Sequence, residues 1–229
     1  VARIELWNGD ICDLEVDAIV SPAVTSLWMA TGIAGELKRM AGDEIEFAAV
    51  RQGPARLGDA IVTPAGRLAA RFVIHAVSLE RDRRTSGPAI DRAARSAMAR
   101  ARELSATSVA FPALGTGIGG FPLDEAATIA VSAVRDELGT PSSIEHVIFA
   151  LRGAAAYEAF ARALSAADPL PTRSLLQPVA WKSVGPGRPA DARAPGPRPA
   201  RPAASPAASP AASPASPEAA PIRRREEPG

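Results

Sequence analysis

The segment from Val109 to Leu138 constrains the fold more tightly than any other part of this chain. An apolar run, Val109-Ala110-Phe111, passes through Pro112, Ala113 and Leu114 into Gly115-Thr116-Gly117-Ile118-Gly119-Gly120. After Phe121-Pro122 a helical apolar pattern begins. Four glycines in six residues remove the Cβ atoms that hold a backbone away from a ligand, so consecutive N–H groups can converge on an anion. The helix expected from Pro122–Leu123, with Asp124 and Glu125 in its first turn, points its positive end the same way. A phosphate or pyrophosphate suits such a turn; a tight strand-to-helix connection with no ligand is the plain alternative. The glycines formally match Gly-x-Gly-x-x-Gly, but they come late in the chain and the nearest acids, Asp136 and Glu137, fall inside the next helix. That is not the dinucleotide-binding arrangement. No Lys-Ser or Lys-Thr pair follows, which excludes a Walker-type loop.

The rest of the first 167 residues repeats the strand–helix alternation. Strands are expected at residues 3–7, Asp17–Val20 (stopped by Ser21-Pro22), Ala60–Thr63, Arg71–Val77, at Val109 and at His146–Leu151. Helices are expected at Thr31–Met40, from an Asp43 N-cap through Arg51, and from Ser86-Gly87-Pro88 onward. Two more follow the glycine turn and the last strand. Leu123, Ala127, Ala130, Val134 and Leu138 form one buried stripe, and Tyr157, Phe160, Ala161 and Leu164 another. Six strands interleaved with helices predict a three-layer α/β/α sandwich around a mixed six-stranded sheet. In such sheets ligands bind beyond the carboxyl ends of strands, where the glycine loop and the Ser21–Gly32 segment both lie.

Composition breaks near residue 167. Seven of the 22 prolines precede that point, and the remaining 15 follow it. Residues 1–166 are therefore expected to form one domain, and 167–229 a disordered tail with three Pro-Ala-Ala-Ser repeats and a terminal Arg223-Arg224-Arg225. The domain carries 17 basic and 20 acidic side chains, the tail 9 and 5. The basic excess thus belongs to the tail, direct nucleic-acid binding by the domain is not expected, and any tail partner is left undefined. Cys12 is the lone cysteine, so no internal disulfide can form and a reducing cytoplasm is the expected location. With His75 and His146 as the only histidines, neither a metal site nor a bound cofactor is expected. No apolar run approaches the ~20 residues of a membrane span, and the chain is read as having no membrane partner and no signal peptide. The first strand reads as whole although the chain opens on Val1.

Two segments together resemble the macro domain family of ADP-ribose-binding α/β modules. One is Asn8-Gly9-Asp10-Ile11, followed by Asp17–Val20 and then Ser26-Leu27 through Gly32-Ile33-Ala34; the other is Phe111–Pro122. Val73-Ile74-His75 and Tyr157–Phe160 resemble further family features, and the likeness runs from residue 1 to about 166 in the correct order. It implies that Asp10 accepts a hydrogen bond from the adenine amino group, with the Ile11 backbone beside it. An acceptor-only carboxylate suits that contact, and a turn-stabilising Asp is the alternative. The resemblance further implies that Gly32, Ile33 and Ala34 form a first phosphate loop. Gly115, Thr116, Gly117, Ile118, Gly119 and Gly120 would form the second. Phe121 would pack either near the distal ribose or in the core.

Departures from the family pattern bear on mechanism. Many catalytically active relatives carry Asn-Ala-Ala-Asn after the Asp17–Val20 strand, where this chain has Ser21-Pro22-Ala23-Val24. Their Gly-Gly-Gly-Val-Asp run becomes Ala30-Thr31-Gly32-Ile33-Ala34, and an aromatic of their second loop becomes Gly119. Neither Val24 nor Ala34 can bond a ribose hydroxyl or orient a water. His75 is read as a structural histidine, and Trp28 and Met29 lie over the distal ribose or cover core. The expected function is binding of ADP-ribose, free or on a modified macromolecule, without efficient hydrolysis. An ADP-ribosyl hydrolase or O-acetyl-ADP-ribose deacetylase is the alternative. A degenerate module acting only in protein interaction is a third reading, since Ala30 and Thr31 add side chains where relatives have glycines.

Overall fold

The computed structural model describes residues 2–167; the expectations for the tail lie outside the described residues. The strands are β1 (Arg3–Asn8), β2 (Val16–Val24), β3 (Ala60–Pro64), β4 (Ala70–Leu79), β5 (Ser108–Phe111) and β6 (His146–Leu151). The helices are α1 (Gly32–Ala41), α2 (Glu44–Val50), α3 (Gly87–Glu103), α4 (Leu123–Leu138) and α5 (Ala154–Ala167), with one 3₁₀ turn at Ile11–Asp13. The six strands form one sheet in the order β1-β6-β5-β2-β4-β3. Only β3 runs antiparallel to its neighbour, so the expected mixed α/β sandwich is the architecture.

Alternation along the strands divides the core. Ala18 and Val20 face the layer built by α3, α4 and α5, while Ile19 faces Leu37 of α1 and Ile45 of α2. On the first face Phe149 sits between Phe111 and Phe160, with ring centroids 5.9 and 4.8 Å away. Burial of such rings is the largest single apolar contribution available to a domain with few aromatics. The α3 helix packs closely because Ala89, Ala93, Ala94, Ala97 and Ala101 are fully buried small residues. Ser86 caps it by accepting from the Ala89 N–H at 3.4 Å.

Three local expectations need correction. β2 does not stop at Ser21-Pro22 but continues to Val24, paired with β4 through Ser21–His75, Pro22–Ala76 and Ala23–Val77. Its other neighbour, β5, pairs only at Ala18 and Ile19. Pro22 therefore lies where β2 has become an edge on one side and a missing N–H is tolerated. Asp43 occupies the N-cap position of α2 but makes no side-chain cap bond; its carboxylate lies 3.6 Å from Lys38 Nζ instead. On α5 the buried alanines are Ala159 and Ala163, with Ala161 only half-buried.

Candidate functional site

Five strands run to the same edge of the sheet, and the connections leaving their carboxyl ends surround a cleft of about 410 Å³. Two of those connections form its middle. The first leads from β2 into α1. Thr31, the residue before the helix, makes no side-chain cap bond, so the N–H groups of Gly32, Ile33 and Ala34 have no partner among the described residues. The second is the glycine loop after β5. There the N–H groups of Thr116, Gly117, Ile118 and Gly119 are likewise unpartnered among the described residues. The loop is held by Phe121 N–H to Gly115 O and Gly120 N–H to Gly117 O, both 3.1 Å, and by Thr116 Oγ1 to Ala113 O at 3.0 Å. A Cβ built on Gly32 would lie 3.8 Å from Ile118 Cδ1. The two sets of donors thus line one cleft, their loops approaching each other at Gly32 and Ile118.

The glycines of the second loop do different jobs. Gly115 has φ +78, and a Cβ there would strike Ile90 at 2.6 Å. At Gly119 a Cβ would come within 2.7 Å of Gly115 O and 2.8 Å of Leu79, so no side chain fits there without a shift of the backbone. A Cβ on Gly117 meets nothing within 4 Å, because that position opens into the cleft.

One end of the cleft is apolar, lined by Ile11, Ala150, Leu151 and Ala156, with Arg152 at its edge. Asp10 is not among the lining residues. Its Oδ1 accepts from the Cys12 N–H at 2.9 Å and its Oδ2 from Arg152 Nη2 at 2.6 Å. Arg152 Nη1 also donates to Glu36 Oε1 at 2.9 Å, and Glu36 Oε2 lies 2.7 Å from Nη2. Burial raises the Asp10 carboxyl, but the Cys12 N–H and the Arg152 guanidinium outweigh it and hold the group below the usual carboxylate range. Burial, reinforced by the Asp10 and Glu36 charges, pushes the neighbouring Cys12 thiol up to about 12, so it carries no thiolate at neutral pH.

The cleft's other end is lined by Val24, Ser26, Leu79, Arg81 and Arg83, and the exposed Trp28 lines the cleft as well. Met29 turns the opposite way into the core. Its N–H donates to the buried Glu46 Oε2 at 2.6 Å, and Glu46 Oε1 accepts from Lys38 Nζ at 2.6 Å. Helix α2 thereby anchors the backbone that leads into the first donor loop. Gly120 and Phe121 do not line the cleft, and Phe121 packs against the α3–α5 core.

A family model described as Macro domain matches residues 20–130. An O-acetyl-ADP-ribose deacetylase of Salmonella gallinarum is 36% identical, over 65% of this chain and 86% of that protein. The chain belongs to the macro domain family. An uncharacterized protein of Mycobacterium tuberculosis is 41% identical over 72% of this chain. The chain spans 46% of that relative's length, about half the length of the first curated relatives it matches. Among solved structures, a Trypanosoma brucei macrodomain in complex with ADP-ribose superposes with a TM-score of 0.65 at 26% identity, covering 70% of this chain and 68% of that one.

In this macro domain the residues beside the Val24 end of the cleft offer little acid–base chemistry. Ser21 is fully buried within β2 and does not line the cleft. His75 is also buried; its Nε2 lies 2.9 Å from Thr63 Oγ1, and it too stays clear of the cleft. Burial lowers its pKa to about 4, so the imidazole is neutral at pH 7. Of the site residues, Glu36, Glu46, Arg81, Arg83 and Arg152 were not legible in the sequence. Each is an ordinary charged residue until the fold supplies its partner or its place at the cleft.

Proposed function

We propose that this macro domain binds ADP-ribose or an ADP-ribose derivative across the carboxyl ends of its strands and hydrolyses it poorly. The observation that carries the reading is the pair of facing loops, each with consecutive unpartnered N–H groups, at Gly32–Ala34 and Thr116–Gly119. Two such donor rows suit the two phosphates of a pyrophosphate. Adenine would rest against Ile11, Ala150 and Leu151, with Arg152 at its edge and Asp10 behind. The distal ribose would then lie towards Val24. Backbone donors grip ground state and transition state about equally, which gives affinity without rate. Val24 and Ala34 add no polar side chain near the reacting ribose.

A hydrolytic reading is favoured by the Salmonella relative, which is named a deacetylase. The two separate on a gain-of-function assay. Val24→Asn with Ala34→Asp should raise turnover of O-acetyl-ADP-ribose and of mono-ADP-ribosylated protein above a low wild-type level. Brisk wild-type turnover that the double variant does not improve would establish the enzyme instead.

A further inference from the structure

The apolar end of the cleft offers hydrogen-bond donors and no free acceptor. Its walls there are Gly9, Ile11, Ala150, Leu151, Arg152 and Ala156, none of which carries an acceptor side chain. The nearby carboxylates are both occupied. Asp10 takes the Cys12 N–H on Oδ1 and Arg152 Nη2 on Oδ2, and Glu36 Oε1 takes Arg152 Nη1. Neither acid lines the cleft. Backbone acceptors of the turn are engaged as well. Asp10 O accepts from the Asp13 N–H at 3.1 Å, Ile11 O from the Leu14 N–H at 3.4 Å and Leu151 O from the Gly9 N–H at 3.0 Å.

The donors stand differently. The Ile11 N–H opens the 3₁₀ turn and has no partner among the described residues. Arg152 Nη1 gives one N–H to Glu36, while its second N–H and that of Nε make no hydrogen bond among the described residues. Two carboxylates fix the guanidinium, and its side chain still keeps 47% of its surface exposed. The fold has thus turned an acidic position of the sequence into a donor edge.

A base that meets only donors is matched best by an edge of acceptors. Adenine presents N7 beside its N6 amino group, an acceptor next to a donor, and that pattern suits a side-chain amide. A 6-oxopurine presents O6 and N7, two adjacent acceptors, and that pattern suits a guanidinium. Adenine placed here has its amino group turned towards donors, because the Asp10 carboxylate is already taken by Arg152. Resting on the reading above that places the base at this end, we propose that Arg152 makes the cleft prefer a 6-oxopurine diphosphate ribose, with hypoxanthine or guanine in place of adenine. ADP-ribose binds more weakly, through the phosphates that all these ligands share.

The test is calorimetric titration of the full chain at pH 7 with ADP-ribose and with its hypoxanthine and guanine counterparts. The three ligands share phosphates, riboses and charge, so their affinity ratios report the base alone. The hypoxanthine form should bind about tenfold tighter than ADP-ribose, and the guanine form, which keeps O6 and N7, should share the gain. Arg152→Gln supplies one donor and one acceptor, and it should bring the ratio to one or below. Arg152→Lys keeps a donor-only head without the fork and should retain part of the preference. Tighter binding of either 6-oxopurine form supports the proposal, and the two arms separate hypoxanthine from guanine. ADP-ribose that binds as tightly as both overturns it, as does a preference that survives Arg152→Gln unchanged. Those two results leave the underlying reading standing, since ADP-ribose still binds. Failure of all three ligands overturns that reading as well.

Discussion

Oδ2 of Asp10 accepts a 2.6 Å hydrogen bond from Nη2 of Arg152, a residue 142 positions later in the chain. The contact ties the turn after β1 to the end of β6 and sets the guanidinium at the edge of the apolar end of the cleft. On the proposed reading, Asp10 and Arg152 are expected to act as one unit in holding the base. Asp10→Ala and Arg152→Ala should each weaken ADP-ribose by about 1.5 kcal/mol, roughly tenfold. The double variant should be little worse than either single one. Calorimetric titration of the four proteins gives the cycle, and fully additive losses would show that the two residues act independently.

The second loop separates an open glycine from a packing glycine. Gly117 faces open space, whereas a Cβ on Gly119 would strike Gly115 O and Leu79. Gly117→Glu should retain wild-type thermal stability and lose ADP-ribose binding, because it places a carboxylate between the donor rows. Gly119→Ala should instead lower stability by about 1–3 kcal/mol. Thermal melts alongside titrations check both; a Gly117→Glu protein that still binds would mean that the phosphates lie elsewhere.

Glu46 is a buried acid whose two oxygens serve the Met29 N–H and Lys38. Glu46→Leu leaves that N–H unpaired and should destabilise the domain by about 1–3 kcal/mol. It should also weaken ADP-ribose, since the loop it anchors runs directly into Gly32–Ala34. Denaturant unfolding and titration of the variant measure the two effects, and unchanged affinity would separate the anchor from the site.

His75 makes the domain sensitive to acid. Its pKa is about 4 in the folded state against an ordinary 6.5, so between those values the unfolded chain binds the extra proton. Stability should be constant with respect to this group above pH 6.5 and fall as pH drops from 6.5 towards 4. His75→Gln should flatten that part of the profile while keeping a polar partner for Thr63. Urea unfolding between pH 7 and 4.5 checks the slope; identical profiles for variant and wild type would mean that other groups carry it.

Local pattern made much of this molecule legible. The strand–glycine–helix unit at Val109–Leu138 places the second donor loop where the fold has it, and Gly32 opens α1 as its neighbours suggest. What escaped was set by tertiary context. Pro22 looked like a strand stop because its missing donor is harmful only when both neighbours are present, and β5 is too short to reach it. Arg152 and Glu36 pair across 116 positions, a separation that no periodicity reports. Arg81 and Arg83 gain meaning only because Asp82 is taken by Arg84 and the turn after β4 ends at the cleft.

The most direct measurement is calorimetric titration of the purified chain with ADP-ribose at pH 7. The facing donor loops predict saturable one-to-one binding, lost in Gly117→Glu, with the ligand recovered intact after the titration. Absence of heat at millimolar ADP-ribose would contradict ADP-ribose as the occupant of the cleft.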